Sequence, residues 1–362
     1  MLPAHSPASR PATGLIQAAH HLADYLQASS PVTRDLLNRT MTESFGTSAA
    51  SGAWVQRDSF IASEIALILA LRRMGLSGGG KGDLAILQAL AALLPTQTVR
   101  SEEQVAHQHF STPLLLSCLA ARMACIAPDD DVLEPSAGTG MLAQWAEQGR
   151  ALHLNELDEQ RAAILRQLFP TASITTIDAA RIGQLGIRPS VILMNPPFAR
   201  NAAGMEDPLA AARHIAAALS ALRPGGRLVA VMPDSFSGRG RRAAIFHRAL
   251  QGCSVVAHMR IDGAFQSHGT AIAVRLLAID KVPGRLDTTV VQRADLADLV
   301  PFIDALPPRL ACPDGDLAAK PAPSTPVLQG IASGKGLFRA FGRGAPAKAV
   351  ALAQTSDAAI VP

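Results

Sequence analysis

The sequence DVLEPSAGTG occupies residues 131–140 and joins a short apolar run to a glycine-rich turn. We expect a strand that ends at Glu134, a tight turn of small residues, and a helix that begins near Gly140. Glycines allow a ligand to approach the backbone, and the N-terminus of a helix offers unpaired N–H groups. The segment therefore predicts a ligand-binding turn between a strand and a helix.

Short β-rich runs alternate with helical patterns from residue 132 to residue 280. The runs are 132–134, 152–155, 173–177, 191–194, 227–232, 255–259 and 271–279. Strands that alternate with helices predict βαβ units and a doubly wound, mostly parallel sheet. The last two runs are joined by residues 263–269 without a helical pattern, which indicates a closing hairpin. We therefore predict an α/β fold with a seven-stranded, Rossmann-like sheet.

The chain divides into four regions by composition and pattern. Residues 1–14 are rich in Pro, Ser and Ala and are predicted to be disordered. Residues 15–100 carry helical patterns and are expected to form a helical N-terminal region. The α/β domain is placed at 101–282. Residues 283–362 are rich in Pro, Gly and Ala, and they are predicted to be a tail or linker.

The composition excludes several classes of protein. Of 362 residues, 48% are hydrophobic and 17% are charged, which supplies a large core and excludes wholesale disorder. No apolar run approaches the ~20 residues that cross a bilayer, and the chain start lacks the apolar core of a secretion signal. Four cysteines without CxxC spacing argue against a zinc site or a disulfide scaffold. We expect a soluble cytoplasmic protein, whose net charge of +4 tolerates a polyanionic partner without requiring one.

A second acidic residue follows the next predicted strand. Glu156 lies 16 residues after Gly140, where a carboxylate can bind the ribose hydroxyls of a nucleoside ligand. Residues 138–143 also match the G-x-G-x-x-A dinucleotide pattern, so an enzyme that uses nicotinamide or flavin remains possible on these residues alone. Glu134 discriminates between the two, because a carboxylate at the strand end suits a cationic ligand such as a sulfonium and repels a pyrophosphate.

The segment SVILMNPPF at residues 190–198 carries the chemistry. A buried strand ends there in Asn195, two prolines and Phe198, at the edge where α/β sheets bind ligands. An exocyclic amine on an aromatic ring is a poor nucleophile because its lone pair is delocalised. If the Asn195 side-chain oxygen and the Pro196 carbonyl accept its two hydrogens, the nitrogen becomes more tetrahedral and its lone pair available. Phe198 can stack on the ring and align it with a methyl donor; a stiff turn without function is the alternative.

These segments resemble a known family. Residues 133–140 and 195–198 are similar to motifs I and IV of the amino-group (N6-adenine) DNA methyltransferases, and QHFSTP at 108–113 is similar to motif X of one subgroup. The Thr-Pro pair in that last segment predicts a helix start with Thr112 as its N-cap. Residues 44–58 resemble the region upstream of the methyltransferase portion in bacterial and plasmid strawberry-notch-type helicase fusions.

The resemblance covers residues 101–280 and implies a class I methyltransferase fold with S-adenosylmethionine as cofactor. The residues it implies for cofactor binding are Phe110, Thr112, Glu134, Ala137, Gly138, Gly140, Glu156, Leu157 and Asp178. Asp178 also fits a second interpretation, the N-cap of the helix that follows it. The resemblance further implies direct in-line methyl transfer, with Asn195, Pro196 and Phe198 as catalytic residues. Substrate contacts are predicted at Pro197, Arg200, Arg239, Arg241 and Arg242.

DNA is the predicted substrate, with adenine N6 of a flipped base as the acceptor. Two alternatives stay open: a methyltransferase that acts on an RNA base or a protein glutamine amide, and an inactive methyltransferase-like binding module of a helicase or plasmid assembly. The second is favoured by the lack of a clear target-recognition domain in the sequence. The scattered histidines lack HxxxH or HExxH spacing, so no metal site is predicted.

Overall fold

The computed structural model describes residues 9–78, 83–97, 111–199, 203, 205–293 and 295–310. Its helices are α1 (Ser9–Gln27), α2 (Arg34–Phe45), α3 (Gln56–Arg73), α4 (Asp83–Ala92), α5 (Leu114–Ala124), α6 (Glu159–Leu168), α7 (Ala210–Ala221), α8 (Ala243–Ala249) and α9 (Val300–Asp304). Short 3-10 turns include Ala143–Trp145, Ala179–Leu185, Gly240–Arg242 and Gln266–His268. No helix within these residues is long and apolar enough to cross a membrane.

The strands form one mixed sheet. They are β1 (Asp131–Glu134), β2 (Ala151–Asn155), β3 (Ser173–Thr175), β4 (Val191–Met194), β5 (Arg227–Pro233), β6 (Ser254–Ile261), β7 (Val274–Asp280) and β8 (Val290–Arg293). Their order is β3-β2-β1-β4-β5-β7-β6-β8, and only β7 runs antiparallel to its neighbours. The predicted α/β class and the closing β6–β7 hairpin are confirmed, while the described residues add an eighth strand to the seven expected.

Helices cover both faces of the sheet. Successive side chains of a strand point to opposite faces, and accordingly Val132 and Leu133 belong to two different hydrophobic clusters. The Val132 cluster includes Leu15 of α1 and Ile65 of α3, whereas the Leu133 cluster includes Ile215 of α7. Parallel strands buried on both faces are the expected result of a doubly wound sheet.

The turn after β1 departs from the predicted helix start near Gly140. The chain there forms only the 3-10 turn Ala143–Trp145 before β2 begins at Ala151. Gly138 and Gly140 have φ of 58° and 93°, and this left-handed backbone does not continue into an α-helix. The helix expected between β3 and β4 is likewise a 3-10 turn.

The N-terminal boundary also differs from the prediction. Helix α1 begins at Ser9, inside the segment predicted to be disordered, and residues 1–8 lie outside the described part of the chain. A Cβ on Gly14 would lie 2.9 Å from Cζ of Phe45 in α2, so α1 and α2 pack closely at that point. Helix α2, which the sequence did not predict, begins with the Thr33 hydroxyl accepting the Leu36 N–H at 3.2 Å.

The predicted boundary at residue 283 is too early. Strand β8 pairs in parallel with β6, and α9 packs on α5. Arg309 holds the carboxylate of Asp130, at the start of β1, with contacts of 2.5 and 2.6 Å. Residues 283–310 therefore belong to the fold. Residues 311–362 of the predicted tail lie outside the described residues.

Candidate cofactor and methyl-transfer site

A cavity opens at the carboxyl ends of β1, β2 and β4. It holds about 850 Å³, a volume that includes space open to solvent. Nine of the predicted site residues line it: Thr112, Glu134, Ala137, Gly138, Glu156, Leu157, Asp178, Asn195 and Pro197. The strand register explains their convergence, because parallel neighbours end at the same edge and Glu134 lies opposite Leu154, two residues before Glu156.

Glu134 places a buried carboxylate on the cavity wall. Its side chain is 2% exposed, and its Oε2 atom has no hydrogen-bond partner among the described residues. Burial raises the pKa of Glu134 well above its ordinary value; the N–H of Ala143 opposes this effect and the charge of Glu156 adds to it. A buried acceptor without a partner is costly, so the free protein leaves a position suited to a cation or a hydrogen-bond donor.

Glu156 ties the glycine turn to the end of β2. Its Oε2 accepts the N–H of Gly138 at 2.7 Å, and its Oε1 accepts the N–H of Asp158 at 2.9 Å. Burial raises the pKa of Glu156, while the charge of Arg161 and both backbone N–H bonds oppose that rise. The carboxylate thus holds the turn open beside the cavity, at the position predicted to bind a ribose.

Asn155, the residue before Glu156, was not predicted and joins the ends of three segments. Its amide nitrogen donates to the carbonyls of Pro135 and Ile177 at 3.0 and 2.8 Å. Its amide oxygen accepts the Ile177 N–H at 3.0 Å and the Thr175 hydroxyl at 2.9 Å. These bonds satisfy both ends of the amide and fix the backbone beneath the cavity.

Asp178 caps a turn and also lines the cavity, and its predicted contact with the cofactor stays a prediction. Its Oδ1 accepts the N–H of Ala180 at 2.9 Å, which makes it the N-cap of the turn Ala179–Leu185. The same residue lines the cavity. Leu157 lines the cavity as well and remains 46% exposed, so an apolar surface lies at the mouth where a ligand ring can cover it.

Asn195 and Thr112 meet across the cavity wall. The Asn195 amide nitrogen donates to the Thr112 hydroxyl at 3.1 Å, which orients the amide of the predicted catalytic residue. The expected N-cap role of Thr112 is wrong. Helix α5 has Pro113 as its N-cap without a side-chain bond, because the Thr112 hydroxyl faces Asn195 instead.

Three of the residues predicted for cofactor binding or catalysis do not line the cavity. Gly140 faces the core, where a Cβ would lie 2.4 Å from Cε2 of Phe169. Pro196 is buried, and Phe198 is half-buried against the hydrophobic cluster of Val132. Gly140 is therefore required for packing and for its φ of 93° rather than for contact with a ligand.

The predicted substrate contacts are only partly within the described residues. Phe110 and Arg200 lie outside them. Arg239, Arg241 and Arg242 are exposed beyond the end of β5, at the same edge of the sheet as the cavity but not on its wall. None of the three forms an ion pair within the described part of the chain, so this segment presents positive charge to solvent.

Two buried basic side chains on the cavity wall were also not predicted. Arg161 is 5% exposed and its charge acts on Glu156, while His214 on α7 is 5% exposed with no partner for its Nδ1 among the described residues. Burial lowers the pKa of His214 to about 4, so the ring is neutral at physiological pH. Arg161 lies in an ordinary helical pattern and His214 is one of several scattered histidines, so no local signal in the sequence marked either residue.

The residue set fits S-adenosylmethionine better than a dinucleotide. Two carboxylates, Glu134 and Glu156, line the cavity, and Glu134 at the end of β1 disfavours a pyrophosphate there. The same carboxylates offer an acceptor to a cation and to sugar hydroxyls. No group of three or more metal-ligating side chains occurs within the described residues.

The chain is similar to one protein family and to several solved structures. Residues 98–260 match the family model of the methyltransferase small domain. A search of curated proteins found no match. A protein from Listeria monocytogenes, provisionally assigned as a class I S-adenosylmethionine-dependent methyltransferase, is 13% identical, with 82% of this chain and 98% of that chain covered and a TM-score of 0.46.

Two further solved structures are similar. A protein from Vibrio vulnificus YJ016, provisionally assigned as the modification subunit of a type I restriction enzyme, is 17% identical, with 75% of this chain and 65% of that chain covered and a TM-score of 0.42. TrmN from Thermus thermophilus is 21% identical, with 49% of this chain and 51% of that chain covered and a TM-score of 0.35. The present chain thus spans about half the length of TrmN. At these identities, substrates are not transferred from one protein to another.

The family match and the strand order agree with the contents of the cavity. Residues 98–260 are thus similar to the methyltransferase small domain, and the cavity at the strand ends presents the side chains expected for S-adenosylmethionine as cofactor.

Proposed function

From this domain and cofactor, we propose that the protein methylates an exocyclic amino nitrogen, with adenine N6 in DNA as the acceptor. The observation that carries the proposal is the contact between Asn195 and Thr112. The Asn195 amide nitrogen donates to Thr112 at 3.1 Å, and the proposal gives the amide oxygen the role of acceptor for the amine. An aromatic amine needs such an acceptor to free its lone pair.

The residues of the chain divide the chemistry between them. When bound, S-adenosylmethionine supplies an electrophilic methyl group on a positively charged sulfur. Asn195 and the Pro196 carbonyl accept the two N–H groups of the amine, and the exposed part of Phe198 supports the ring. Neither acceptor can keep a proton, so the proton lost after methylation passes to solvent. Holding the amine in line with the methyl group supplies much of the rate gain.

In this proposal the carboxylates of Glu134 and Glu156 bind the cofactor and not the amine. Oε2 of Glu134 has no hydrogen-bond partner among the described residues, whereas Glu156 is already bonded to two backbone N–H groups. A cation placed beside Glu134 offsets the cost of its burial. His214 remains neutral, so it adds no positive charge that would repel the cofactor.

Exposed arginines support DNA as the substrate. Arg239, Arg241 and Arg242 lie past the end of β5, and Gly240 between them has a φ of 77°. Phosphate contacts from such residues offset the few kcal/mol needed to flip a base. We further propose that a helicase partner supplies sequence selectivity, because no separate target-recognition domain occurs within the described residues.

Labelled S-adenosylmethionine tests the function directly. The purified full chain is incubated separately with duplex DNA, single-stranded DNA, RNA and protein extract. We expect label on DNA, at adenine, and its loss in Asn195→Ala. Label on RNA or on protein glutamine instead would show that the reaction is amino methylation but that DNA is not the acceptor.

An inactive binding module is the second candidate. Its supporting observation is Phe198, which packs half-buried on the core instead of facing the cavity. Cofactor binding in calorimetry without transfer to any of the four acceptors would favour this candidate. Absence of cofactor binding by the wild-type chain would contradict both.

A further inference from the structure

Glu64 is a buried carboxylate in the middle of α3, outside the residues that match the methyltransferase family model. It is 8% exposed and forms no ion pair within the described residues. One of its oxygens, Oε2, accepts two hydroxyls: that of Ser111 at 2.5 Å and that of Thr139 at 3.0 Å. Glu64 is therefore held entirely by groups from distant parts of the sequence.

Both hydroxyl-bearing residues line the cofactor cavity. Ser111 directly precedes Thr112, the residue that orients Asn195. Thr139 lies between Gly138 and Gly140, in the turn that the cofactor approaches. The two hydroxyls are 3.4 Å apart, so a single carboxylate oxygen fixes both walls of the cavity relative to each other.

A fourth element faces the same carboxylate. His268, in the turn between β6 and β7, lies close enough for the charge of Glu64 to act on it, although burial lowers the pKa of this histidine overall. The same turn contacts residue 97, where the Gln97 N–H donates to the Ser267 carbonyl at 2.9 Å. Helix α3 therefore approaches the cavity wall where the segments that carry Ser111, Thr139 and His268 come together.

We propose that Glu64 is a positioning residue for the cofactor site, which makes the N-terminal helical region part of that site. Its carboxylate holds the hydroxyls of Ser111 and Thr139, and through them the walls that contact S-adenosylmethionine. The alternative for a buried carboxylate held only by neutral donors is a purely structural role, and such burial is costly without a cation nearby. The inference rests on the assignment of this cavity to the cofactor.

Calorimetry on the full chain tests the proposal with two ligands, S-adenosylmethionine and S-adenosylhomocysteine, which lacks the positive charge. Two hydrogen bonds to a charged group are lost in Glu64→Ala, so we expect its affinity for both ligands to fall about tenfold or more. Glu64→Gln keeps an oxygen that can accept both hydroxyls, and we expect its affinities to stay within about threefold of wild type. Ser63→Ala is the matched control, because the buried Ser63 hydroxyl bonds only to Ser59 of the same helix at 2.9 Å.

A second readout does not depend on ligand. Amide hydrogen exchange in the free protein is expected to accelerate at residues 136–140 in Glu64→Ala and to remain unchanged in Ser63→Ala. If Glu64→Ala does not fold, Glu64→Met, which fills similar space but cannot accept a hydrogen bond from a hydroxyl, takes its place. Its affinity for both ligands should fall about tenfold or more, and wild-type affinity in folded Glu64→Met would overturn the proposal.

Each contrary result of these measurements has a distinct meaning. Wild-type affinity in folded Glu64→Ala, or a loss in Glu64→Gln as large as in Glu64→Ala, would overturn the positioning role. A loss for S-adenosylmethionine alone would show attraction between charges and would also overturn it. If the wild-type chain binds neither ligand, the cofactor assignment fails instead.

Discussion

At the ends of β1 and β2, the polar side chains are buried and bonded to neighbouring backbone, whereas past the ends of β4 and β5 they face the cavity mouth or solvent. In the first region, the cofactor half (residues 134–140 and 155–158), Glu156 and Asn155 fix the turn before any ligand arrives. In the second, the acceptor half (residues 195–198 and 234–242), three arginines have no ion-pair partner within the described residues. The cofactor half is thus preorganised, whereas the acceptor half presents positive charge to solvent.

Asn195→Ala is expected to have the largest effect, because it should impair methyl transfer and leave cofactor binding nearly unchanged. Removing the acceptor for the amine hydrogens is expected to lower kcat/KM for methyl transfer about a hundred- to thousandfold, by analogy with the loss of one preorganised transition-state hydrogen bond. Because Asn195 belongs to the acceptor half, cofactor affinity should stay within about threefold. Initial rates with labelled cofactor and titration calorimetry measure the two quantities. Equal losses of binding and transfer would show that the division into halves is wrong.

Two glycines, only two residues apart, test the cofactor half. In Gly140→Val the new Cβ meets Phe169 at 2.4 Å, and φ is 93°, so we expect a loss of about 3 kcal/mol of unfolding free energy. In Gly138→Ala no atom lies within 4 Å of the new Cβ, and the strain at φ of 58° costs about 1 kcal/mol.

Denaturant unfolding and calorimetry distinguish the two variants. Gly138→Ala should lose more cofactor affinity than stability, because Gly138 lines the cavity. Equal destabilisation of both variants would mean that Gly140 has no special packing role.

Features that depend only on residues close together in the sequence could be predicted. The strands and the carboxylates at Glu134 and Glu156 follow from apolar runs that end in a polar residue, and they lie where the sequence placed them. The role of Gly140 could not be predicted, since Phe169 approaches it only in the folded chain. Thr112 has good N-cap chemistry, yet a contact with a residue 83 positions away decides its orientation. Glu64 was not predicted either, because its partners Ser111 and Thr139 lie 47 and 75 positions away in the sequence.

The segments missed at the edges of the fold have weak local signals. Helix α2 is mostly polar, with only Leu37, Thr40 and Met41 buried, so its apolar face is narrow. Strand β8 has four residues, and its pairing with β6 requires the rest of the sheet. Tertiary contact, rather than propensity, fixes both segments.

Glu134 and Glu156 should respond in opposite ways to loss of charge. The pKa of Glu134 is raised in the folded state, so the fold binds a proton that the unfolded chain releases above about pH 4.3. The contribution of Glu134 to stability is therefore present below that pH and is lost as the pH rises toward its folded pKa. Glu134→Gln should gain about 1 kcal/mol at pH 8 relative to pH 5, and it should bind S-adenosylmethionine about tenfold more weakly.

Glu156→Gln is the matched comparison for that variant. A glutamine has a single acceptor oxygen, so one of the N–H groups of Gly138 and Asp158 loses its partner, at a cost of about 1–3 kcal/mol. Melting temperatures from pH 5 to pH 9, with and without cofactor, check both expectations. Stabilisation of Glu156→Gln, or destabilisation of Glu134→Gln at pH 8, would contradict the assignment of one carboxylate to the ligand and the other to the turn.

The smallest expected effect concerns the arginines of the acceptor half. If Arg241 and Arg242 contact phosphates, the double alanine variant should bind duplex DNA severalfold more weakly, and the slope of log affinity against log salt should fall by about 2. Arg39→Ala/Arg166→Ala removes the same charge from exposed positions on α2 and the last turn of α6. Since net charge changes equally in both variants, an equal loss of slope would assign the effect to the overall field of the protein. A loss confined to Arg241 and Arg242 would place the DNA backbone beside the end of β5.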